Sequence, residues 1–130
     1  MSILRLARTA ALLCGVIVAP ALAADLSPVG QWEVASGESR YRISYCGAGG
    51  KLLCARLTWL RDDVKTKENL ALLGDYVVKG AREAADNEWT CTVHYDGHTY
   101  EGTVTLLSRD AMLFHSCSGI FCQSFELNRL

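Results

Sequence analysis

The stretch that most constrains the fold is residues 89–107, WTCTVHYDGHTYEGTVTLL. Apolar and polar residues alternate along it, and Asp96-Gly97 lies at its centre. That dipeptide supplies the positive φ angles that a two-residue type I′ turn requires. We therefore predict a β-hairpin that turns at this point. The aligned pairs expected from it are Tyr95–His98, Val93–Tyr100 and Cys91–Gly102.

Alternation about that turn gives the hairpin one apolar face and one polar face. The apolar face carries Trp89, Cys91, Val93, Tyr95, His98, Tyr100, Val104 and Leu106. The polar face carries Thr90, Thr92, His94, Thr99, Glu101, Thr103 and Thr105. This pattern is typical of an antiparallel strand pair that is covered on one side only.

Short alternating segments continue on both sides of the hairpin. Strands are predicted for residues 31–36, 39–46, 51–60, 73–79, 111–117 and 121–129. Short strands at regular spacing favour an all-β barrel or sandwich, and about eight strands are counted. Residues 80–87 are predicted to form a loop or a single helical turn. Each predicted strand also assigns its side chains to the inside or the outside of such a fold.

Residues 61–72, RDDVKTKENLAL, form a charged connection that is long for so compact a domain. Asp62 or Asp63 is a suitable residue to begin a helical turn within it. The simplest interpretation is a solvated crossover between two strands. The alternative is a functional loop, because binding residues often lie on loops that a rigid scaffold positions.

The N-terminus has the features of a secretory signal peptide. Arg5 and Arg8 precede an apolar run over residues 10–20, and residues 21–23 are the small-x-small sequence Ala-Leu-Ala. We predict cleavage after residue 23, which leaves a single barrel or sandwich domain over residues 24–130. The apolar run is too short for a comfortable membrane span, so no stable span is expected after cleavage. The predicted location is periplasmic or secreted.

The overall charge is close to balance and excludes one class of partner. The chain has 13 basic and 14 acidic residues, and removal of Arg5 and Arg8 makes it more acidic. No strong basic cluster is present, so binding to nucleic acid has no electrostatic basis.

The cysteines outside the signal peptide are expected to form disulfides in an oxidising compartment. The strand faces place Cys46 and Cys54 together on the outside of one hairpin, and Cys117 and Cys122 together on the outside of another. We predict these two bonds, each stabilising the fold by about 2–3 kcal/mol. A four-cysteine zinc site is the alternative, but it lacks the short ligand spacing of such sites. Cys91 faces inward and is predicted to be an inert buried thiol.

The histidines do not combine into a catalytic or metal site in this arrangement. His94 and His98 point to opposite faces of the hairpin, and His115 lies on the outer face of another strand. Cys91 and His98 share a face but lie about 13 Å apart along it, far beyond hydrogen-bond reach. We expect no catalytic residues, no metal and no cofactor, and we predict that the protein is not an enzyme.

Gly30-Gln31-Trp32 opens the first predicted strand, and Arg129 ends the last. This pairing resembles the calycin superfamily of lipocalin-like barrels. The resemblance implies an antiparallel calycin-type barrel in which Arg129 packs over Trp32 and closes the end. A guanidinium over an indole face contributes about 0.5–2 kcal/mol.

The chain is more specifically similar to a bacterial exported family known as domain of unknown function 2147. The matching residues are Gly30, Trp32, Cys46, Gly47, Leu53, Cys54, Ala55, Leu57, Trp59, Leu60, Leu72, Leu73, Gly74, Lys79, Gly80, Trp89, Gly97, Thr99, Tyr100, Leu106, Cys117, Gly119, Cys122 and Arg129. The chain departs from the family in a longer loop between Cys46 and Cys54, a tighter central turn and a cysteine at position 91. The resemblance implies the fold, export and both disulfides, and it implies no activity.

Two functions are compatible with these features. The first is a non-enzymatic binding module of the cell envelope, which would contact an envelope protein or other component through residues 61–72 and the barrel mouth. The alternative is a carrier of a small apolar ligand in a cavity lined by Tyr41, Tyr45, Trp59 and Tyr100. The many aromatic residues at inward positions favour a filled interior over such a cavity.

Overall fold

The structure is a computed structural model, and it describes residues 26–130 together with Gly15. Apart from Gly15, the predicted signal peptide, residues 1–23, lies outside the described residues. Among the described residues, no helix has both the length and the apolar character needed to cross a bilayer.

Eight antiparallel strands close into a barrel in which each strand pairs with the next along the chain. The strands are β1 Gly30–Val34, β2 Ser39–Cys46, β3 Leu52–Leu60, β4 Tyr76–Ala85, β5 Glu88–Tyr95, β6 His98–Leu106, β7 Ala111–Ser118 and β8 Phe121–Arg129. Pairing of β1 with β8 completes the cylinder. The prediction of an eight-stranded antiparallel barrel is confirmed, whereas its assignment to the calycin type stays a prediction.

The connections divide between the two ends of the cylinder. We call one end the upper rim, which is formed by residues 35–38, 61–75, 96–97 and 119–120. The other is the lower end, formed by residues 26–29, 47–51, 86–87, 107–110 and 130. The connection over residues 61–75 contains a 3-10 turn, Asp62–Val64, and the helix α1, Lys67–Leu72.

The central hairpin has the predicted register. Asp96 and Gly97 form its turn with φ angles of 49° and 72°, as a type I′ turn requires. The three predicted pairs, Tyr95–His98, Val93–Tyr100 and Cys91–Gly102, are all aligned. The local turn chemistry and the alternating pattern together were therefore sufficient to set this register.

The prediction that Trp59 faces inward is wrong, because a β-bulge shifts the alternation of β3. Tyr41 is aligned with Leu57 and Arg40 with Trp59, so Thr58 is an extra residue on β3. The extra residue reverses the alternation, because a shift of one residue exchanges the two faces of a strand. Leu57 and Leu60 are consequently buried, whereas Trp59 is 37% exposed on the outer face.

The prediction that residues 80–87 form a loop is also wrong. β4 continues to Ala85 because Gly80, with a φ of 99°, lies in a second bulge instead of ending the strand. Glycine adopts this φ at little cost, so the chain can bend and remain paired. Ala81 is thereby placed in the core, where it is fully buried.

The densest packing lies in the lower half of the barrel. Trp32 is fully buried, and Met112 and Leu53 are 1% and 2% exposed. The core also contains Ile43, Ala55, Val78, Ala81, Trp89, Val104, Leu106 and Leu127. Side chains on the inner face become more accessible towards the upper rim, where Phe125 is 41% exposed and Tyr95 is 39% exposed.

Candidate functional site

The lower end of the barrel is closed by Arg129 and Trp32. These residues are aligned across β8 and β1, and the guanidinium carbon lies 4.4 Å from the indole centroid. The guanidinium nitrogens also donate to three backbone carbonyl oxygens, those of Ser27 at 2.6 Å, Val29 at 2.7 Å and Arg109 at 2.8 Å. The Arg129 side chain therefore holds the segment before β1 and the connection between β6 and β7 together at the lower end.

The segment before β1 completes this closure. The indole Nε1–H of Trp32 donates to the carbonyl oxygen of Pro28 at 2.8 Å, and Pro28 is itself buried. A Cβ at Gly30 would lie 2.6 Å from Nη1 of Arg129, so the guanidinium requires glycine at that position. These contacts close the lower end of the barrel around Trp32.

Both predicted disulfides are present, one near each end of the barrel. Cys46–Cys54 joins β2 to β3 near the lower end, and Cys117–Cys122 joins β7 to β8 at the upper rim. Their surroundings differ, because Cys54 is 8% exposed whereas Cys122 is exposed and Cys117 is half-buried. The first bond joins a buried and a half-buried cysteine, whereas the second joins a half-buried and an exposed cysteine, so the second is the more accessible.

The connection that contains α1 is fixed to the upper rim at Arg61 and stabilised internally by a helix cap. Arg61 donates from two nitrogens to the carboxylate of Asp63 and from a third to the carbonyl oxygen of Ser36. The hydrogen bond from Arg61 lowers the pKa of Asp63. Thr66 caps α1 by accepting from the backbone N–H of Asn69 at 3.2 Å. The predicted helical start at Asp62 or Asp63 is realised as the 3-10 turn, while Thr66 begins the helix.

Tyr95 connects α1 to the central hairpin. Its phenol donates to Oδ1 of Asn69 at 2.8 Å. Burial first, and then the charge of Asp96, raise the pKa of this phenol, so it remains a donor at neutral pH. A hollow of about 280 Å³ lies beside this contact, lined by Glu68, Leu72, His94, Tyr95, Asp96 and Gly97.

The structure does not gather the four predicted ligand-lining residues into one hollow. Trp59 lies outside the barrel, with the guanidinium of Arg40 4.4 Å from its ring. Tyr45 is aligned with the buried Leu53 but is itself 48% exposed, so it does not line an enclosed space. Tyr41 and Tyr100 are half-buried, and burial raises the pKa of Tyr41. Only this last pair remains suited to lining an interior space.

A second hollow, of about 340 Å³, opens in the barrel wall between β4 and β5. These strands share three aligned pairs, all near the lower end, and they diverge above them. The hollow is lined by Lys79, Gly80, Arg82, Thr90, Cys91, Thr92 and Glu101. Burial, and secondarily the charge of Glu101, raise the pKa of Cys91 from 9.0 to about 11. Cys91 is therefore held as a thiol, which is poorly nucleophilic.

The two most exposed large apolar side chains lie at the upper rim, whereas Leu107 and Leu130 are exposed at the lower end. Ile120, in the connection between β7 and β8, is 91% exposed, and Phe121, the first residue of β8, is 75% exposed. The connection between β3 and β4 adds Leu70 and Leu73, and the first residue of β4 adds Tyr76; these side chains are 41–46% exposed. Residues 61–72 were predicted as a contact loop, but the contribution of Ile120 was missed. Its position in a turn, where polar residues are usual, was the available signal.

A family model described as "Uncharacterized protein conserved in bacteria (DUF2147)" matches residues 30–129. The chain belongs to this family. The match spans the whole barrel, from the first residue of β1 to the last residue of β8. The description of the DUF2147 family assigns no activity.

The comparison with solved structures adds little to this membership. A redesigned β-barrel matches with 13% identity and a TM-score of 0.48, covering 78% of this chain and 90% of its own. A similarity at that level indicates no function for this chain. No curated protein matches the chain in sequence.

One group of three potential metal ligands lies within the part of the chain that the structure describes. Its members are His115, Cys117 and Cys122, whose ligand atoms all lie within 4.8 Å of one another. The sequence had placed each of them on the outer face but had not combined them. The sequence contained the necessary information. His115 and Cys117 are two residues apart on β7, and the β7–β8 hairpin aligns Cys122 with Cys117.

Proposed function

We propose that this DUF2147 protein is a non-enzymatic binding module that contacts a partner protein through its upper rim. The observation that carries the proposal is that the two most exposed large apolar side chains, Ile120 and Phe121, lie side by side there, at the same end of the barrel as the exposed Leu70, Leu73 and Tyr76. Exposed apolar patches on soluble proteins commonly mark interaction sites. Because the lower end is closed by structural contacts, the opposite end is the better candidate for binding a partner.

The charges around the upper rim favour a protein partner over an anionic membrane surface. Acidic residues outnumber basic residues in the rim connections. Two of the basic residues are already paired, Arg61 with Asp63 and Lys65 with Asp62. An anionic bilayer attracts basic segments and would be repelled by this rim.

The absence of catalysis is part of the same proposal. Cys91 is the free cysteine among the described residues, and burial together with Glu101 keeps it protonated. The two disulfides suit a periplasmic or secreted protein, because such bonds persist in oxidising compartments.

The rim is tested by comparing matched exposed positions. Ile120→Ser with Phe121→Ser removes the upper apolar tip, whereas Leu107→Ser removes an apolar side chain that is 54% exposed at the lower end. We expect a partner that is cross-linked from an extract of the exported fraction to be lost with the first variant and retained with the second. Titration calorimetry with the purified partner should repeat this difference.

Equal capture by both variants would contradict the proposal. Flotation with anionic vesicles provides the other arm of the test. Vesicle binding that is lost with the same rim variant would assign the apolar tip to a lipid surface instead of a protein.

A carrier of a small apolar ligand is the second candidate. It is favoured by Phe125, which is aligned with Phe114 on the inner face and is nevertheless 41% exposed. The interior is thus accessible from the upper rim. We expect no co-purified lipid and no change in tryptophan fluorescence with an apolar dye if the rim is a protein-binding surface. A saturable fluorescence change that Phe125→Ser abolishes would instead support the carrier.

A further inference from the structure

We propose that the tip of the β7–β8 hairpin is a redox-gated metal site, in which reduction of Cys117–Cys122 creates a Cys₂His site for a thiophilic divalent cation such as Zn²⁺. The proposal does not rest on the proposed binding function. It follows from the position of His115 beside the accessible disulfide and from the contact that orients its ring.

The hairpin register brings the three ligands together. Cys117 and Cys122 are directly aligned across β7 and β8, and His115 lies two residues before Cys117 on the same outer face. Nε2 of His115 is 3.4 Å from Sγ of Cys117. Bond lengths of about 2.3 Å to sulfur and 2.0 Å to nitrogen separate the ligands of one Zn²⁺ by roughly 3.5–4 Å. The three ligand atoms all lie within 4.8 Å of one another, and the two sulfur atoms, which are bonded to each other in the oxidised protein, would separate to this spacing after reduction.

A second contact prepares the imidazole for a cation. Nδ1 of His115 is 2.7 Å from Oγ of Ser124, the residue aligned with it on β8. A disulfide sulfur can only accept, so in the oxidised protein Nε2–H faces Sγ of Cys117 and Nδ1 accepts from the hydroxyl of Ser124. When a cation takes the lone pair of Nε2, the proton lies on Nδ1 and is donated to the same hydroxyl. Histidine ligands of metals are characteristically oriented by a hydrogen bond from the other ring nitrogen. Ser124 is thus a positioning residue in this site.

The two disulfides differ in the way that gating requires. Cys122 is exposed and can be reached by an external thiolate, whereas Cys54 of the other bond is only 8% exposed. Exposed disulfides are the labile members of a structure, since exchange requires direct access to a sulfur atom. Opening of Cys117–Cys122 also leaves the barrel closed, because β7 and β8 remain paired along their length.

The reductant is a dithiol, and the exchange is balanced. One thiolate of the dithiol attacks Sγ of Cys122, breaks the sulfur–sulfur bond and releases Cys117 as a thiolate. The second thiolate of the dithiol attacks its own sulfur in the mixed disulfide and releases Cys122. Two electrons pass to the protein, and the dithiol leaves as a disulfide. The cation then binds both thiolates and Nε2 of His115, and its fourth position is open.

The gating step is tested with the full oxidised protein and dithiothreitol. Alkylation at timed intervals, followed by mass spectrometry, reports which cysteines have opened. We expect Cys117 and Cys122 to become alkylated at least tenfold faster than Cys46 and Cys54. Equal rates, or earlier opening of Cys46–Cys54, would overturn the gating.

The cation site is tested by titrating Co²⁺ and Zn²⁺ into protein reduced by a phosphine. We expect one ion per chain, with thiolate-to-cobalt absorption that the oxidised protein does not show. Ser124→Ala should weaken binding by about tenfold and His115→Ala by more. Tryptophan fluorescence of each sample verifies that the barrel is folded.

The control is Cys117→Ser with Cys122→Ser under the same reductant, because it retains every other cysteine. Binding by reduced wild-type protein that is no tighter than binding by this variant overturns the site. Binding that the His115 and Ser124 substitutions leave unchanged overturns the role of the imidazole.

Discussion

At the closed end of the barrel, the guanidinium of Arg129 donates to three carbonyl oxygens while its face covers the indole of Trp32. These contacts use the planar shape of the group as well as its charge. Lysine carries the same charge as a compact ammonium and cannot reproduce the fork. The closure therefore depends on the planar shape of the Arg129 guanidinium as well as on its charge.

Arg129→Lys should lower the free energy of unfolding by about 1–3 kcal/mol, because several charged hydrogen bonds are lost without loss of charge. Urea denaturation monitored by tryptophan fluorescence measures the change. Arg42→Lys is the matched control at an exposed strand position, and it should stay within about 0.5 kcal/mol of wild type. Equal effects at the two positions would show that the three carbonyl contacts contribute nothing specific.

Cys91 should react slowly with iodoacetamide in the native protein. A pKa of about 11 in place of 9.0 leaves about a hundredfold less thiolate below pH 9. The alkylation rate should therefore rise with pH up to about 11. Glu101→Gln removes a negative neighbour, lowers the pKa and should accelerate the reaction at pH 8, whereas Glu126→Gln on β8 should not. A native rate equal to that of the urea-unfolded chain would refute the burial of the thiol.

Among the strands, β3 shows how a single extra residue redistributes a whole segment. Thr58 is the residue without an aligned partner on β2, and its hydroxyl donates to the carbonyl oxygen of Arg40 at 3.2 Å. The bulge lets Leu57 and Leu60 both enter the core although they are three residues apart. Strict alternation would bury only one of them.

This assignment predicts that truncation of the smaller Leu60 lowers stability more than truncation of the larger Trp59. Leu60→Ala should cost about 2–5 kcal/mol, as expected for a buried leucine. Trp59→Ala should cost no more than about 1 kcal/mol, because the ring is on the surface and mainly loses its contact with Arg40. Thermal or urea unfolding of the two variants provides the comparison. A larger loss for Trp59→Ala would place the indole back inside the barrel.

For the molecule as a whole, closure of the cylinder depends on the last few residues of the chain. β8 pairs with β1 through Arg129, Asn128 and Leu127, and Leu127 is buried in the core. These contacts join the two ends of the described barrel. Their loss would leave β1 with a single partner and expose unpaired edges on β1 and on the remaining part of β8.

A variant that ends at Glu126 should therefore lose cooperative unfolding and bind a hydrophobic dye. Removal of Leu130 alone is the control, since its side chain is 61% exposed and its backbone N–H makes one hydrogen bond, to Gln31. That shorter deletion should cost about 1 kcal/mol. Coincident fluorescence and circular dichroism transitions in the longer deletion would show that closure is dispensable.

The sequence by itself determined the features that depend on neighbouring residues along the chain. Asp96-Gly97 specified a turn, and the turn together with alternation specified the register of the central hairpin. The same alternation placed Cys46 with Cys54 and Cys117 with Cys122, and both bonds are present. The number of strands and their antiparallel order also followed from turn spacing.

Only the tertiary structure decided the features that depend on strands meeting across the barrel. The extra residue at Thr58 and the bent continuation through Gly80 adjust the strands to a closed cylinder. They exposed Trp59 and buried Ala81, against the alternating pattern. The grouping of His115 with the accessible disulfide and the apolar rim likewise required three dimensions. Alternation describes one strand at a time, whereas closure is a condition on all eight strands together.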